Sequence, residues 1–140
     1  PIAALIARPA RLRATEVRPE EIPTLIDEIP MLAALASRAE GTTIFRDVGE
    51  LRVKESDRLG LIAENIRALG GRADVVGDDL HVTGGEAAPV GRVRTEGDHR
   101  LAMAFAVLGT LPGAKVKVDD MACAGVSFPG FREMLRAIRG

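Results

Sequence analysis

The chain has 140 residues, 46% of them hydrophobic, which is enough for one domain with a core and too short for two. Nineteen Lys and Arg against 20 Asp and Glu give a formal charge of −1, so no global field draws it to nucleic acid or to an anionic membrane. With no Trp or Tyr and only four Phe, base-stacking platforms are nearly absent; one cysteine, Cys123, excludes an internal disulfide and a multi-thiolate metal site, and two histidines, His81 and His99, argue against a metal cluster.

The lone cysteine fits a reducing cytoplasm, and no apolar run reaches the roughly 18 residues of a membrane span. The first eight residues are too short and wrongly flanked for a secretory signal. They read as an extended entry segment. A start at Pro1 suggests an excised or processed piece, although initiator removal before proline would look the same.

Alternation over residues 11–17 predicts a strand, after which Pro19 and Pro23 punctuate the chain. From Asp27 the pattern is helical, with Asp27 where an N-cap belongs, Pro30 in the first turn, and Met31, Leu32 and Leu35 on one face. Gly41 stops that helix. Residues 42–48 read as a strand and 49–58 as a polar stretch. The spacing of Leu59, Ile62, Ile66 and Leu69 then predicts a second helix, closed by Gly70 and Gly71. Strands over 73–76 and 80–83 follow, joined through Gly77-Asp-Asp79.

A second block repeats the first at an offset of 72 residues, in order more than in identity. Gly97-Asp-His-Arg100 opens a helix with Leu101, Phe105 and Leu108 on one face. Gly113 answers Gly41, a strand over 114–118 answers 42–46, Asp119 answers Asp47, and a helix over 129–138 answers the one from Leu59. In this register Asp27 coincides with His99. Equivalent helix N-termini would point the same way, and such termini favour anions because their N–H groups are unpaired and the aligned peptide dipoles leave them partly positive.

Five of the nine residues in Leu51-Arg-Val-Lys-Glu-Ser-Asp-Arg-Leu59 are charged. Composition alone reads the run as a solvated helix start, with Ser56 or Asp57 as cap. Asp98 likewise reads as a cap, and His99 as a structural imidazole. Arg100 adds a planar fork suited to a carboxylate or phosphate. None of these readings is sharp alone.

Together, Asp27-Glu-Ile-Pro30, Leu51-Arg-Val-Lys-Glu-Ser-Asp-Arg58 and Gly97-Asp-His-Arg-Leu-Ala-Met103, with the closing Ser127-Phe-Pro-Gly-Phe131, resemble the C-terminal half of 5-enolpyruvylshikimate-3-phosphate (EPSP) synthases from about Arg11 onward. The resemblance implies an α/β (α+β) fold of repeated β-α-β-α-β-β units, the "inside-out barrel" of enolpyruvyl transferases. About two units would be present, roughly 11–85 and 91–140, within a partial C-terminal domain spanning 1–140. Such enzymes transfer the enolpyruvyl group of phosphoenolpyruvate to the 5-hydroxyl of shikimate 3-phosphate and release phosphate, without metal or organic cofactor.

Carried over by position, Asp27 would bind the accepting hydroxyl and help remove its proton. Glu55 would protonate the methylene carbon and later take the proton back. Lys54 would lie between the substrates, Arg58 and Arg100 would hold the phosphoenolpyruvate carboxylate, and His99 would support them. A basic residue common in the loop before the last helix is missing from Ala124-Gly-Val-Ser127. Family enzymes are also about three times longer and bind substrates between two domains, so the resemblance implies half a cleft, inactive alone, with self-association through exposed apolar surface. A transferase acting on a UDP-sugar and an RNA 3′-phosphate cyclase share related architecture. The motifs favour shikimate phosphate over the first, and the lack of a basic stripe argues against the second.

Overall fold

The computed structural model describes residue 4 and residues 6–139. The expected entry segment lies partly outside the described residues; its described positions carry no regular structure. The strand expected over 11–17 is reduced to β1 (Glu16–Val17), with an isolated bridge from Arg13 to Glu40. Pro19 and Pro23 start short helical pieces instead of merely breaking the chain. A 3-10 turn spans Pro19–Glu21, followed by α1 (Ile22–Leu25). Proline lacks the amide that a first helical turn leaves unpaired and presets φ for it, so both positions suit helix entry.

The next elements are α2 (Ile29–Ala36), β2 (Thr42–Phe45), α3 (Arg58–Ala68), β3 (Arg72–Val76) and β4 (Asp79–Thr83). The first sheet has the order β1-β2-β4-β3, with β1 parallel to β2 and the other pairs antiparallel. A second parallel pair follows, formed by β5 (Val90–Val93) and β6 (Lys115–Val118) around α4 (His99–Leu108). Each parallel pair is thus bridged by a helical crossover, and each second strand leads into a 3-10 turn, Gly49–Val53 or Ala122–Val126. The helix after the second such turn is α5 (Phe131–Arg139), starting two residues later than the sequence pattern placed it. Gly41 and Gly113, matched by the 72-residue offset, both adopt left-handed φ, +98° and +76°.

Burial departs from expectation in α2. Its core face is Ile29, Ala33 and Ala36 with Pro30 and Ala34, while Leu35 is exposed and Met31 and Leu32 are half-buried. Small residues face inward because α2 lies against α4, and close approach of two helices leaves no room for leucines between them. In α3 the anticipated face holds: Leu59, Ile62, Ile66 and Leu69 are all buried. They meet Phe45, Val48, Leu51, Leu80, Val82, Leu101 and Phe105 in one core. The stretch 49–58 is therefore not simply polar, since its 3-10 turn drives Leu51 to full burial.

Packing thins toward the C-terminus. Phe131 is buried, its ring centroid 5.7 Å from that of Phe128, but Val126 and Ile138 are 80% and 73% exposed. The edge of β6 away from β5 pairs with no strand among the described residues. Among the described residues no helix is long and apolar enough to cross a membrane.

Two glycines are fixed by close backbone approach. A Cβ on Gly84 would stand 1.6 Å from the carbonyl oxygen of Ala39, and one on Gly91, at φ +154°, would stand 2.3 Å from that of Ala68. Both neighbours are backbone and cannot swing aside. Gly84→Ala is expected to cost about 3 kcal/mol, the upper end of typical overpacking losses. Urea denaturation reads this directly, and a loss under about 0.5 kcal/mol, the scale of a surface substitution, would contradict the packing described.

Candidate active site

The charged motifs converge where three helix starts meet. Asp27 lies in the turn between α1 and α2, Lys54 to Asp57 lead into α3, and Asp98 to Arg100 open α4. Asp57 caps α3, its Oδ1 accepting from the Gly60 amide at 3.0 Å. Asp98 caps α4, accepting from the amides of Arg100 at 2.9 Å and Leu101 at 3.4 Å. Asp27 does not cap α2, contrary to the isolated reading of its position. The N-cap there is Glu28, which makes no side-chain capping bond and accepts from Arg100 Nη1 at 3.3 Å, and the Asp27 carboxylate turns to two arginines instead.

Arg58 is the centre of the cluster, with a side chain that is 0% exposed. Its Nε donates to Asp98 Oδ2 at 2.7 Å and its Nη1 to Asp27 Oδ1 at 3.0 Å. Its Nη2 lies 2.6 Å from Glu55 Oε2, but no hydrogen bond is aligned along that contact, so the attraction there is mainly ionic. Arg100 reaches the same aspartate from the other side. Its Nη1 donates to the Asp27 carbonyl at 2.9 Å and its Nη2 lies 3.5 Å from Asp27 Oδ2.

Four predicted site residues, Asp27, Glu55, Arg58 and Arg100, thus form one ion-pair network drawn from three segments. Lys54 borders it and is turned back to Glu50 Oε1 at 2.6 Å. His99, half-buried at the start of α4, enters none of these ion pairs. Two carboxylates outside the predicted set join the network: Asp98 through Arg58, and Glu28, whose Oε1 lies 3.3 Å from Arg100 Nη1. The motif contains Asp98, but a capping residue and a buried counter-ion look alike in sequence.

Exposure divides the network. Asp27 and Glu55 are 47% and 53% exposed, whereas Arg58 and Asp98 are sealed. An anion from solvent therefore meets the Asp27 and Glu55 side of the guanidinium, where it would compete with those carboxylates. A cleft of about 190 Å³ adjoins Asp27 and Arg100, lined also by Glu28, Met31, Met103 and Phe131 and not by Glu55 or Arg58. A larger hollow of about 680 Å³, around residues 10–12, 38–41 and 84–86, contains none of the network.

Burial pushes the Asp98 carboxyl up, but the Arg58 guanidinium, the Ser56 hydroxyl and the Leu101 amide outweigh it and hold the group below its ordinary value. For Arg58, burial pushes down, and Asp98, Glu55 and Asp27 more than reverse it, so the guanidinium stays charged. A further anchor lies at the end of β6. Thr95, fully buried, donates its hydroxyl to Asp119 Oδ1 at 2.7 Å, which fixes the turn leading to Asp98.

The chain and its fold match the EPSP synthase family. The model of EPSP synthase (3-phosphoshikimate 1-carboxyvinyltransferase) matches residues 3–135. A 3-phosphoshikimate 1-carboxyvinyltransferase of Desulfitobacterium hafniense is 44% identical over 138 residues, covering 99% of this chain and 32% of the relative. One from Bradyrhizobium diazoefficiens is 49% identical over 139 residues, covering 99% and 30%. A solved EPSP synthase structure from Acinetobacter baumannii superposes with a TM-score of 0.79 at 30% identity, covering 93% of this chain and 31% of that one. The fold is accordingly a mixed α/β fold of the enolpyruvyl transferase kind. The chain belongs to the EPSP synthase family and spans about a third of the length of the relatives it matches.

Removing the central cation would leave Asp98 buried and unpaired. Arg58→Met is expected to lower stability at pH 7 by about 3–5 kcal/mol. In the wild type, Asp98 has a lowered folded value, so its contribution is complete above its ordinary 3.8 and is lost as the pH falls through the lowered value. The gap between wild type and variant should therefore narrow below pH 3.8 in urea unfolding followed against pH. A gap that stays constant or widens there would refute the pairing.

Proposed function

We propose that this chain is part of an enzyme that transfers the enolpyruvyl group of phosphoenolpyruvate to the 5-hydroxyl of shikimate 3-phosphate and releases phosphate, in the cytoplasm and without metal or organic cofactor. The observation that carries this reading is the convergence of Asp27, Glu55, Arg58 and Arg100 on one solvent-facing cluster. Family membership supplies the reaction class. The two repeat units, roughly 11–85 and 91–140, are read as part of the C-terminal domain, with the rest of the cleft supplied by the remaining length of the parent protein.

On this reading Arg58 and Arg100 hold the phosphoenolpyruvate carboxylate, which takes the place of protein carboxylates on the open side of Arg58. Asp27, released from the arginines, accepts the proton of the 5-hydroxyl as its oxygen bonds to the central carbon of phosphoenolpyruvate. Glu55 gives a proton to the methylene carbon. It then removes one from the resulting methyl group while the carbon–oxygen bond to phosphate breaks. Lys54 stabilises the charge developing between the two substrates, and His99 supports the arrangement. Fixed cations in a closed, dry site give a large part of such stabilisation. Half a cleft supplies neither closure nor the contacts of the other wall, so the chain alone should not turn over.

The direct test is phosphate release from the two substrates, first with this chain alone and then with the N-terminal two-thirds of the Bradyrhizobium diazoefficiens relative added. Activity is expected only on complementation, and Glu55→Gln should reduce it by at least about 10²-fold, the lower range for loss of a general acid. Turnover by the isolated chain, or full activity of the variant, would contradict the assignment.

The apolar side chains exposed along and before α5, among them Val126, Met134 and Ile138, support self-association of the isolated chain. Sedimentation should show a mass that rises with concentration; a strict monomer would remove this part of the proposal.

A further inference from the structure

Asp98 carries more contacts than capping requires. Its Oδ1 serves the two amides of α4, while its Oδ2 accepts from Arg58 Nε at 2.7 Å and from the Ser56 hydroxyl at 3.0 Å. One carboxylate, itself fully buried, therefore ties the segment carrying Lys54, Glu55 and Arg58 to the helix carrying His99 and Arg100, 40 residues away. Its charge acts on one edge of the guanidinium alone. With Nε fixed from behind, the two terminal nitrogens of Arg58 are aimed at Asp27 and Glu55, the side open to solvent.

We infer that Asp98 is the positioning residue for Arg58, holding its terminal nitrogens toward the substrate carboxylate while keeping the two arginine-bearing segments in register. The inference rests on the proposed reaction, which gives Arg58 its substrate. A long arginine side chain has several rotatable bonds, and a planar fork binds a carboxylate well only when its plane is set beforehand. Displacement by about 1 Å at such a contact can cost about 10²-fold. Asp98 touches no substrate on this reading and acts through Arg58.

Asp98→Asn separates aiming from capping, because its amide oxygen can still accept from the Arg100 and Leu101 amides while its NH2 group opposes Arg58 Nε–H, donor against donor. In the complemented enzyme, the variant should raise KM for phosphoenolpyruvate by about tenfold or more, with KM for shikimate 3-phosphate within about twofold. In an Arg58→Lys background the same substitution should add nothing, since the residue it aims is gone. An equal rise in both KM values, or an undiminished effect in the Arg58→Lys background, would reduce Asp98 to a structural cap and overturn the inference.

Wild-type chain supplies an arm that needs neither turnover nor a folded variant. The Arg58 Nε–H should exchange slowly with solvent by nuclear magnetic resonance and remain protected when phosphoenolpyruvate is added. Exchange as fast as that of an exposed arginine would sink the proposal even if the complemented enzyme is active. Protection in a complemented enzyme that proves inactive would locate the failure in the proposed reaction and not in the clamp.

Discussion

A fully buried guanidinium is a liability unless carboxylates surround it, and the arrangement of this chain follows from meeting that demand at Arg58. Desolvating a charge costs several kcal/mol even after relaxation. The compensation comes from Asp98 behind, Asp27 beside and Glu55 in front, drawn from three segments that are distant in sequence. Because each partner stands at or near a helix start, satisfying Arg58 also fixes how α2, α3 and α4 enter the core. Packing then keeps those starts in place, with Leu59 and Ile62 of α3 sealed in the same interior as Leu101 and Phe105 of α4.

The same network is built unevenly, and the unevenness separates scaffold from chemistry. Asp98 and Arg58 are sealed and strongly hydrogen-bonded, so exchanging either partner would strand a buried charge. Asp27 and Glu55 are half-open, and their hold on Arg58 is the part a competing anion can replace at modest cost, since partly solvated ion pairs are individually weak. The chain's own carboxylates thus occupy the cation on that side. On the proposed reading, these are the groups that afterwards handle protons.

Much of this was legible in the sequence, for identifiable reasons. Helices α3 and α4 announce themselves because a helical apolar period and an Asp at the cap position agree, and the β3–β4 hairpin because Gly77 and Asp78 suit a tight turn. The family motifs marked Asp27, Glu55, Arg58 and Arg100, which meet in space, along with Lys54 and His99, which stand outside their ion pairs. What stayed hidden is tertiary. No local pattern shows that Arg58 is sealed while Arg52, in the same charge run, is exposed, or that Asp27 abandons its helix for two arginines. Strand β5 escaped notice because it is four residues long with Gly91 inside, and that glycine is there for the carbonyl of Ala68 and not for the strand. In α2, leucine periodicity found only the margin of the buried face: Met31 and Leu32 pack partly against the core and Leu35 is exposed, while Ile29, Ala33 and Ala36 fill its centre because contact with α4 selects for small size.

The edge of β6 that pairs with no strand among the described residues bears on how this chain meets other strands. Its sequence alternates Lys115, Val116, Lys117 and Val118, with both lysines exposed and both valines half-buried. A free strand edge is a template onto which another chain's backbone can zip, and ammonium groups spaced along it repel a like strand in register. Lysines 115 and 117 thus place like charges along that edge and disfavour fibril-like stacking there.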